Sequence, residues 1–153
     1  MASQTDRIEK KIVLKAPRTR VWRAISDSKE FGAWFGASFN RPFTPGAKME
    51  GTITMKGYEG FKFEITIERM EPERLFSFRW HPYAIDPKVD YSGETPTLVV
   101  FELEEVSGGT QLKVVESGFD RIPAARRAEA FRMNEHGWDA QLKNVERHVS
   151  EAT

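Results

Sequence analysis

The chain of 153 residues contains no cysteine. Disulfides, thiolate-bound zinc, iron–sulfur clusters and a cysteine nucleophile are therefore excluded. An excess of one charge is also missing, with 23 Lys+Arg against 23 Asp+Glu. Nucleic-acid binders concentrate positive charge on one face, so nucleic acid is not an expected partner. Long hydrophobic runs are absent too. The longest are a few residues, against the roughly 20 that span a bilayer, and no membrane insertion is expected. The first residues, Met-Ala-Ser-Gln-Thr-Asp-Arg, lack the apolar stretch of a signal peptide, which makes a cytoplasmic location the expectation. Histidine is scarce: His81, His136 and His148 are all there is. None has the spacing that sets two imidazoles on one helical face, so no metal site is expected. There is no Gly-x-Ser-x-Gly elbow. The Gly57–Gly60 and Ser107-Gly108-Gly109 segments read as hairpin turns, and a phosphate cradle needs such a loop to open a helix. No cofactor is expected.

What the chain does have is aromatic area, with 11 Phe, 4 Trp and 3 Tyr. Its length suits one domain, since these run to roughly 100–150 residues. The expected domain covers residues 8–150, with 1–7 as a loose tail. Ile8, Ile12 and Leu14 alternate with Glu9, Lys11 and Lys15, the period of a half-buried strand. Pro17 suits a first helical turn, and Val21, Trp22 and Ile25 then share a helical face. Asp27 and Glu30 have the spacing of a capping box at the start of a second short helix carrying Phe31, Trp34 and Phe35. From about Phe39 to Gly118 the pattern is strand after strand, which predicts an antiparallel meander. The cleanest strand sets Phe61, Phe63, Ile65 and Ile67 against Lys62, Glu64, Thr66 and Glu68. A loop of about fourteen residues, Pro82 to Thr95, is long for a compact domain, and such loops are often lids. Pro123 opens a helix of nearly thirty residues. Its stripe runs Ala124, Ala128, Phe131, Glu135, Trp138, Leu142, Val145, Val149, the seam of an amphipathic helix. This order predicts an α+β helix-grip fold, a curved antiparallel sheet wrapped around a long C-terminal helix, with two short helices after the first strand. A sheet so curved cannot meet the helix everywhere, so a cavity between them is expected.

Several segments also carry a resemblance. These are Ala16-Pro17-x-x-x-Val21-Trp22-x-Ala24-Ile25-Ser26-Asp27, Trp34-Phe35, Glu71-Pro72-x-Arg74-Leu75-x-x-Phe78-x-Trp80, Gly109-Thr110-x-Leu112-x-Val114 with Gly118-Phe119, and Gly137-Trp138-x-x-x-Leu142. In this order and spacing the chain resembles the START-like superfamily, also called SRPBCC or Bet v 1-like. The matching branch resembles the C-terminal domain of the activator of heat-shock protein 90 ATPase. The resemblance covers residues 8–150. It implies a helix-grip fold with an internal hydrophobic cavity, in a superfamily that includes lipid carriers, hormone receptors, cyclases and chaperone partners. Fold alone does not select among these.

The residues expected at the cavity are Phe63, Phe78, Trp80, Phe101, Glu116, Phe131, Asn134, Glu135 and Trp138, with Tyr83 and Tyr91 on the entrance loop. An apolar, partly aromatic pocket with a few polar groups is the usual small-molecule site. On the functional reading Glu116, Asn134 and Glu135 orient a ligand or move a proton. On the plainer reading Glu116 ends its strand in solvent, Glu135 lies at a wet mouth and the rings fill the core. The leading expectation is a domain that binds a small hydrophobic or amphipathic molecule, as a monomer or homodimer. One alternative is a cyclase, aromatase or hydrolase using a cavity carboxylate. Another is an interaction module whose partner is a chaperone.

Overall fold

The computed structural model describes residues 6–82, 88, 90–91 and 93–151. Strand β1 (Arg7–Leu14) leads into helices α1 (Arg18–Ser26) and α2 (Ser28–Phe35). Six strands follow: β2 (Ala37–Phe39), β3 (Lys48–Ile53), β4 (Lys62–Glu71), β5 (Leu75–Trp80), β6 (Thr97–Val106) and β7 (Gly109–Ser117). A short 3-10 turn at Phe119–Arg121 precedes helix α3 (Ala124–Glu151). The strands form one antiparallel sheet in the order β1-β7-β6-β5-β4-β3-β2. The meander from β2 to β7 is thus closed by β1, which returns to pair with β7 along its whole length. A register shift between Ile67 and Arg69 interrupts the β4–β5 ladder, and such irregularities bend and twist a sheet. The expected helix-grip arrangement is the one found. Residues 6 and 7, expected in a loose tail, are instead tied down. The Asp6 carbonyl accepts from the Gly118 and Phe119 amides, and Arg7 pairs with Ser117 in the sheet.

The concave face of the sheet is occupied mainly by α2 in its middle and by α3 from Trp138 onward. Phe31 of α2 is fully buried and stands at the centre of an aromatic cluster. Its ring lies 4.9 Å from Trp34, 5.5 Å from Phe43 and 6.1 Å from Phe78. The short helices therefore reach further in than end caps would. In α3 the buried positions are Ala130, Trp138, Gln141, Leu142, Val145 and Val149. The predicted stripe holds from Trp138 onward. Ala124 and Ala128 are exposed, because the first turns of α3 run past the sheet edge and Ala130 provides the first buried contact.

Two glycines allow α2 to turn straight into β2. Gly36 ends the helix in the left-handed conformation, φ 99°, which glycine adopts at little cost. Gly32 faces the chain coming back: a Cβ built there would lie 2.2 Å from the Ala37 carbonyl oxygen. Backbone cannot give way as a flexible side chain does. Gly32→Ala is expected to destabilise by about 1–3 kcal/mol through overpacking, read as a lower urea midpoint with unchanged m-value.

At the other end of the core, α3 is locked to α1 and α2 through Glu30. Asp27 does cap α2, accepting from the Lys29 amide. Glu30, expected to complete a capping box, is drawn away from the helix end by stronger partners. It accepts from Arg20 and Arg23 at 2.7 Å and meets His148 of α3 at 2.9 Å. Burial alone would raise the Glu30 carboxyl, but His148, Arg20 and Arg23 together outweigh it and hold the group below its ordinary value of 4.5. A lowered native pKa means that the unfolded chain takes up the proton first. The stabilisation is then complete above the ordinary value and is lost as pH falls through the lowered one. Glu30→Gln should therefore be less stable than the parent at neutral pH. The gap should close as denaturation midpoints are followed into acid.

Candidate functional site

Where β3 and β4 splay from the open end of α3, a pocket of about 610 Å³ enters the molecule. Its position follows from local sequence. The β3–β4 hairpin continues past the sheet through Ile53, Met55, Tyr58 and Phe61, closed by the bond from the Ile53 amide to the Phe61 carbonyl. Apolar residues therefore extend beyond the point where α2 can cover them. Phe35 and Phe63 stack at 5.5 Å on the inner wall, and Trp80 lies 5.7 and 5.8 Å from them. Asn134 and Met133 of α3 form the opposite wall. Among the described residues, four large hydrophobics are exposed: Val13, Met55, Tyr58 and Met133. Three of those four, all but Val13, line this pocket.

The expected site residues divide into two groups. Phe63, Trp80, Asn134 and Tyr91 line the pocket. Trp138 opens with Trp80 and Asn134 onto a side recess of about 140 Å³. Phe78 and Phe101 are not on the wall. Both are fully buried, because α2 fills the middle of the sheet against which they pack. Phe131 is partly buried and meets Phe119 edge-on at 5.2 Å, as the start of α3 covers the 3-10 turn rather than the sheet. Glu135 is half-buried and outside the pocket lining. Tyr83 lies outside the described residues. Phe35, Ile53, Met55, Tyr58, Phe61 and Met133 were not anticipated at the site. The available signal was the series Ile53, Met55, Tyr58 and Phe61, which carries apolar side chains past the end of β3 and around the Gly57–Gly60 turn.

Behind the pocket wall sits Glu116 of β7. The plainer expectation of a solvated strand end is overturned: its side chain is wholly buried. One oxygen accepts from the Asn134 amide and the Trp138 indole, both at 2.8 Å. The other accepts from the Trp80 indole at 2.7 Å and the Thr97 hydroxyl at 2.6 Å. Four donors from β5, β6 and α3 thus converge on one carboxyl group. Two of them are indole N–H groups, which only donate. Burial pushes the Glu116 carboxyl up, and the bonds from Thr97, Trp80, Trp138 and Asn134 pull it back part of the way. Among the described residues no Lys, Arg or His pairs with it. Chemically the group anchors Trp80 and Asn134, which face the pocket, while its own lone pairs point at donors and not at the open space.

The loop beside the entrance is fastened by Arg126 in the first turn of α3. Its guanidinium forks onto the Glu94 carboxylate at 2.6 and 3.0 Å and donates to the Pro82 carbonyl at 2.9 Å. It also lies 4.8 Å above the Tyr91 ring. Bonds to charged groups contribute about 1.5–3 kcal/mol. Arg126→Ala should release this clasp, speeding hydrogen exchange at the Tyr91 and Glu94 amides while leaving β4 and β7 protected.

Comparison with known proteins places this architecture. A family model described as Activator of Hsp90 ATPase homolog 1-like protein matches residues 15–150. No curated protein matches the chain. Among solved structures, a protein from Mesorhizobium loti is 18% identical with a TM-score of 0.75, covering 96% of this chain and 98% of that one. A protein from Arthrobacter aurescens is 16% identical with a TM-score of 0.79, covering 100% and 91%. DynU16, from the dynemicin biosynthetic locus, is 23% identical with a TM-score of 0.70. The similarity covers 95% of this chain but 48% of DynU16. At these identities the likeness is one of fold.

Proposed function

We propose, from the premise that the chain belongs to the Activator of Hsp90 ATPase homolog 1-like family, that it is a binding domain for a small apolar or amphipathic molecule. The observation that carries this reading is the pocket itself. Its volume of about 610 Å³ lies within the roughly 300–1,000 Å³ of small-molecule sites. Three of the four large hydrophobics exposed among the described residues gather at it. Exposed apolar surface concentrated in one concave place marks an interaction site more than scattered exposure does. Binding would draw on burial of ligand surface, about 25 cal/mol per Å² before the costs of ordering. Phe63, Trp80 and Asn134 would contact the ligand, with Tyr91 at the entrance. Residues 8–150 act as one domain on this reading, with a cytoplasmic location.

Displacement of a hydrophobic dye, paired with native mass spectrometry of freshly purified protein, tests this. Saturable dye uptake with one equivalent per chain supports it. Absence of uptake by the folded protein rejects it. The enzymatic alternative finds less support, because Glu116, the one wholly buried carboxylate among the described residues, is enclosed by four donors. A general acid or base needs reach to its substrate. A chaperone partner is favoured by the family description alone. On that reading the same mouth, with Met55, Tyr58 and Met133 exposed, would be the contact.

A further inference from the structure

The polar groups around the pocket are unevenly distributed. Lys48, Lys62 and Glu64 of the strands line it, as do His81 and Asp90 on the loop side, and Lys48 and Glu64 are 3.3 Å apart and paired with each other. Lys62 and Glu64 flank Phe63 in β4, and Lys48 precedes the buried Met49 in β3. Successive side chains of a strand leave opposite faces. With Phe63 turned inward, these charged groups leave the strands on the outer face. The inner side differs. Behind the wall lies the Glu116 carboxyl, buried without a cationic partner among the described residues. Trp80 and Asn134 form the wall on the pocket side and donate to it on the other.

This arrangement has an electronic consequence. An indole whose N–H donates to a carboxylate gains electron density in its ring, and the ring face is where a cation is attracted. Trp80 is so engaged, and Trp138, stacked on it at 5.8 Å, donates to the same group. The rings of Phe35, Phe63 and Tyr91 line the same space. A cation held against Trp80 would stand one ring away from the buried carboxyl, where the low dielectric leaves the attraction little screened.

We infer that the ligand of this pocket carries a cationic head, a quaternary ammonium or protonated amine on an apolar body, with the head held against Trp80 in front of Glu116. This inference rests on the reading of the pocket as a ligand site and adds the sign of the ligand's charge. The molecule as a whole does not impose that sign, because its formal net charge is zero. A headgroup preference is therefore a property of the pocket.

The test is a calorimetric titration with three probes that share a twelve-carbon chain, each kept below its micelle concentration. They are dodecyltrimethylammonium, dodecyl sulfate and a neutral dodecyl oligo(ethylene glycol). The ammonium probe is expected to bind at least tenfold more tightly than the neutral one, and the sulfate more weakly than either. In Trp80→Leu the ratio of ammonium to neutral-probe affinity should shrink to within about threefold, even where the loss of ring area weakens both. If that variant does not fold, the order in the parent protein decides. Equal affinities, or a preference for sulfate, overturn the cationic head and leave the pocket reading intact. No binding of any probe overturns both.

Discussion

Glu116→Leu is expected to lose several kcal/mol of stability, more than any surface change in this protein. The substitution removes the acceptor for two indoles, an amide and a hydroxyl at once. Each buried donor left unsatisfied costs about 1–3 kcal/mol. Relief from burying a charge offsets part of that, since desolvation of one ion is worth several kcal/mol. Thr97 and Trp138 are left buried without an acceptor, and Trp80 and Asn134 partly so. Together they outweigh one relieved charge, and a net loss of about 3 kcal/mol lowers Tm by roughly 6–12 °C for a chain of this size. Glu116→Gln should fall between leucine and the parent. Its oxygen still serves two donors, while its NH2 faces the other two. The pH dependence carries a sign as well. Burial raises the Glu116 pKa above its ordinary value of 4.5, so the native state takes up the proton before the unfolded chain does. The group's stabilising contribution is complete below the ordinary value and is lost as pH rises through the raised one. The deficit of Glu116→Gln against the parent should thus vary with pH in the sense opposite to that of Glu30→Gln. Thermal scans of both variants across the acid range check this.

The second large effect concerns the pocket. Ile53→Trp places a large ring where β3 ends at the pocket wall, and Ile53 is only partly buried there. Ile53 packs against the edge of the core and is not one of its buried members. If the new ring displaces about 100 Å² of ligand contact, the loss is about 2.5 kcal/mol, or roughly 60-fold in affinity. Thermal stability should change little. Loss of dye binding with an intact melting curve is the expected pattern. Unchanged affinity would place the ligand elsewhere.

How much of this could be read from the sequence depends on the scale of the pattern. The fold follows from long periodicities. Phe63, Ile65 and Ile67 alternate cleanly, and the stripe from Trp138 to Val149 keeps its spacing, so strand and helix are legible there. The conspicuous aromatics mislead about the pocket. Phe78 and Phe101 have the right chemistry and the right face, yet Phe31 and Trp34 of α2 arrive over them. That is a tertiary event which no local pattern records. Glu116 shows the converse. A carboxylate beside Leu112 and Val114 is ambiguous until Trp80, Thr97, Asn134 and Trp138, distant in sequence, are seen to converge on it. The Tyr58 and Phe61 contribution was legible in principle, because a ring between Gly57 and Gly60 and a second ring just after them place aromatic area at a hairpin tip.

The central claim is that a small molecule enters between the β3–β4 tip and α3. The methionines report on it directly. Met55 and Met133 are exposed at the pocket mouth, while Met49 is fully buried and Met70 sits near the far end of β4. With the methionine methyls labelled with carbon-13, an NMR titration with a twelve-carbon amphiphile should shift the Met55 and Met133 signals and leave those of Met49 and Met70 in place. Saturable shifts confined to Met70, or no saturable shift at any of the four, would contradict the account.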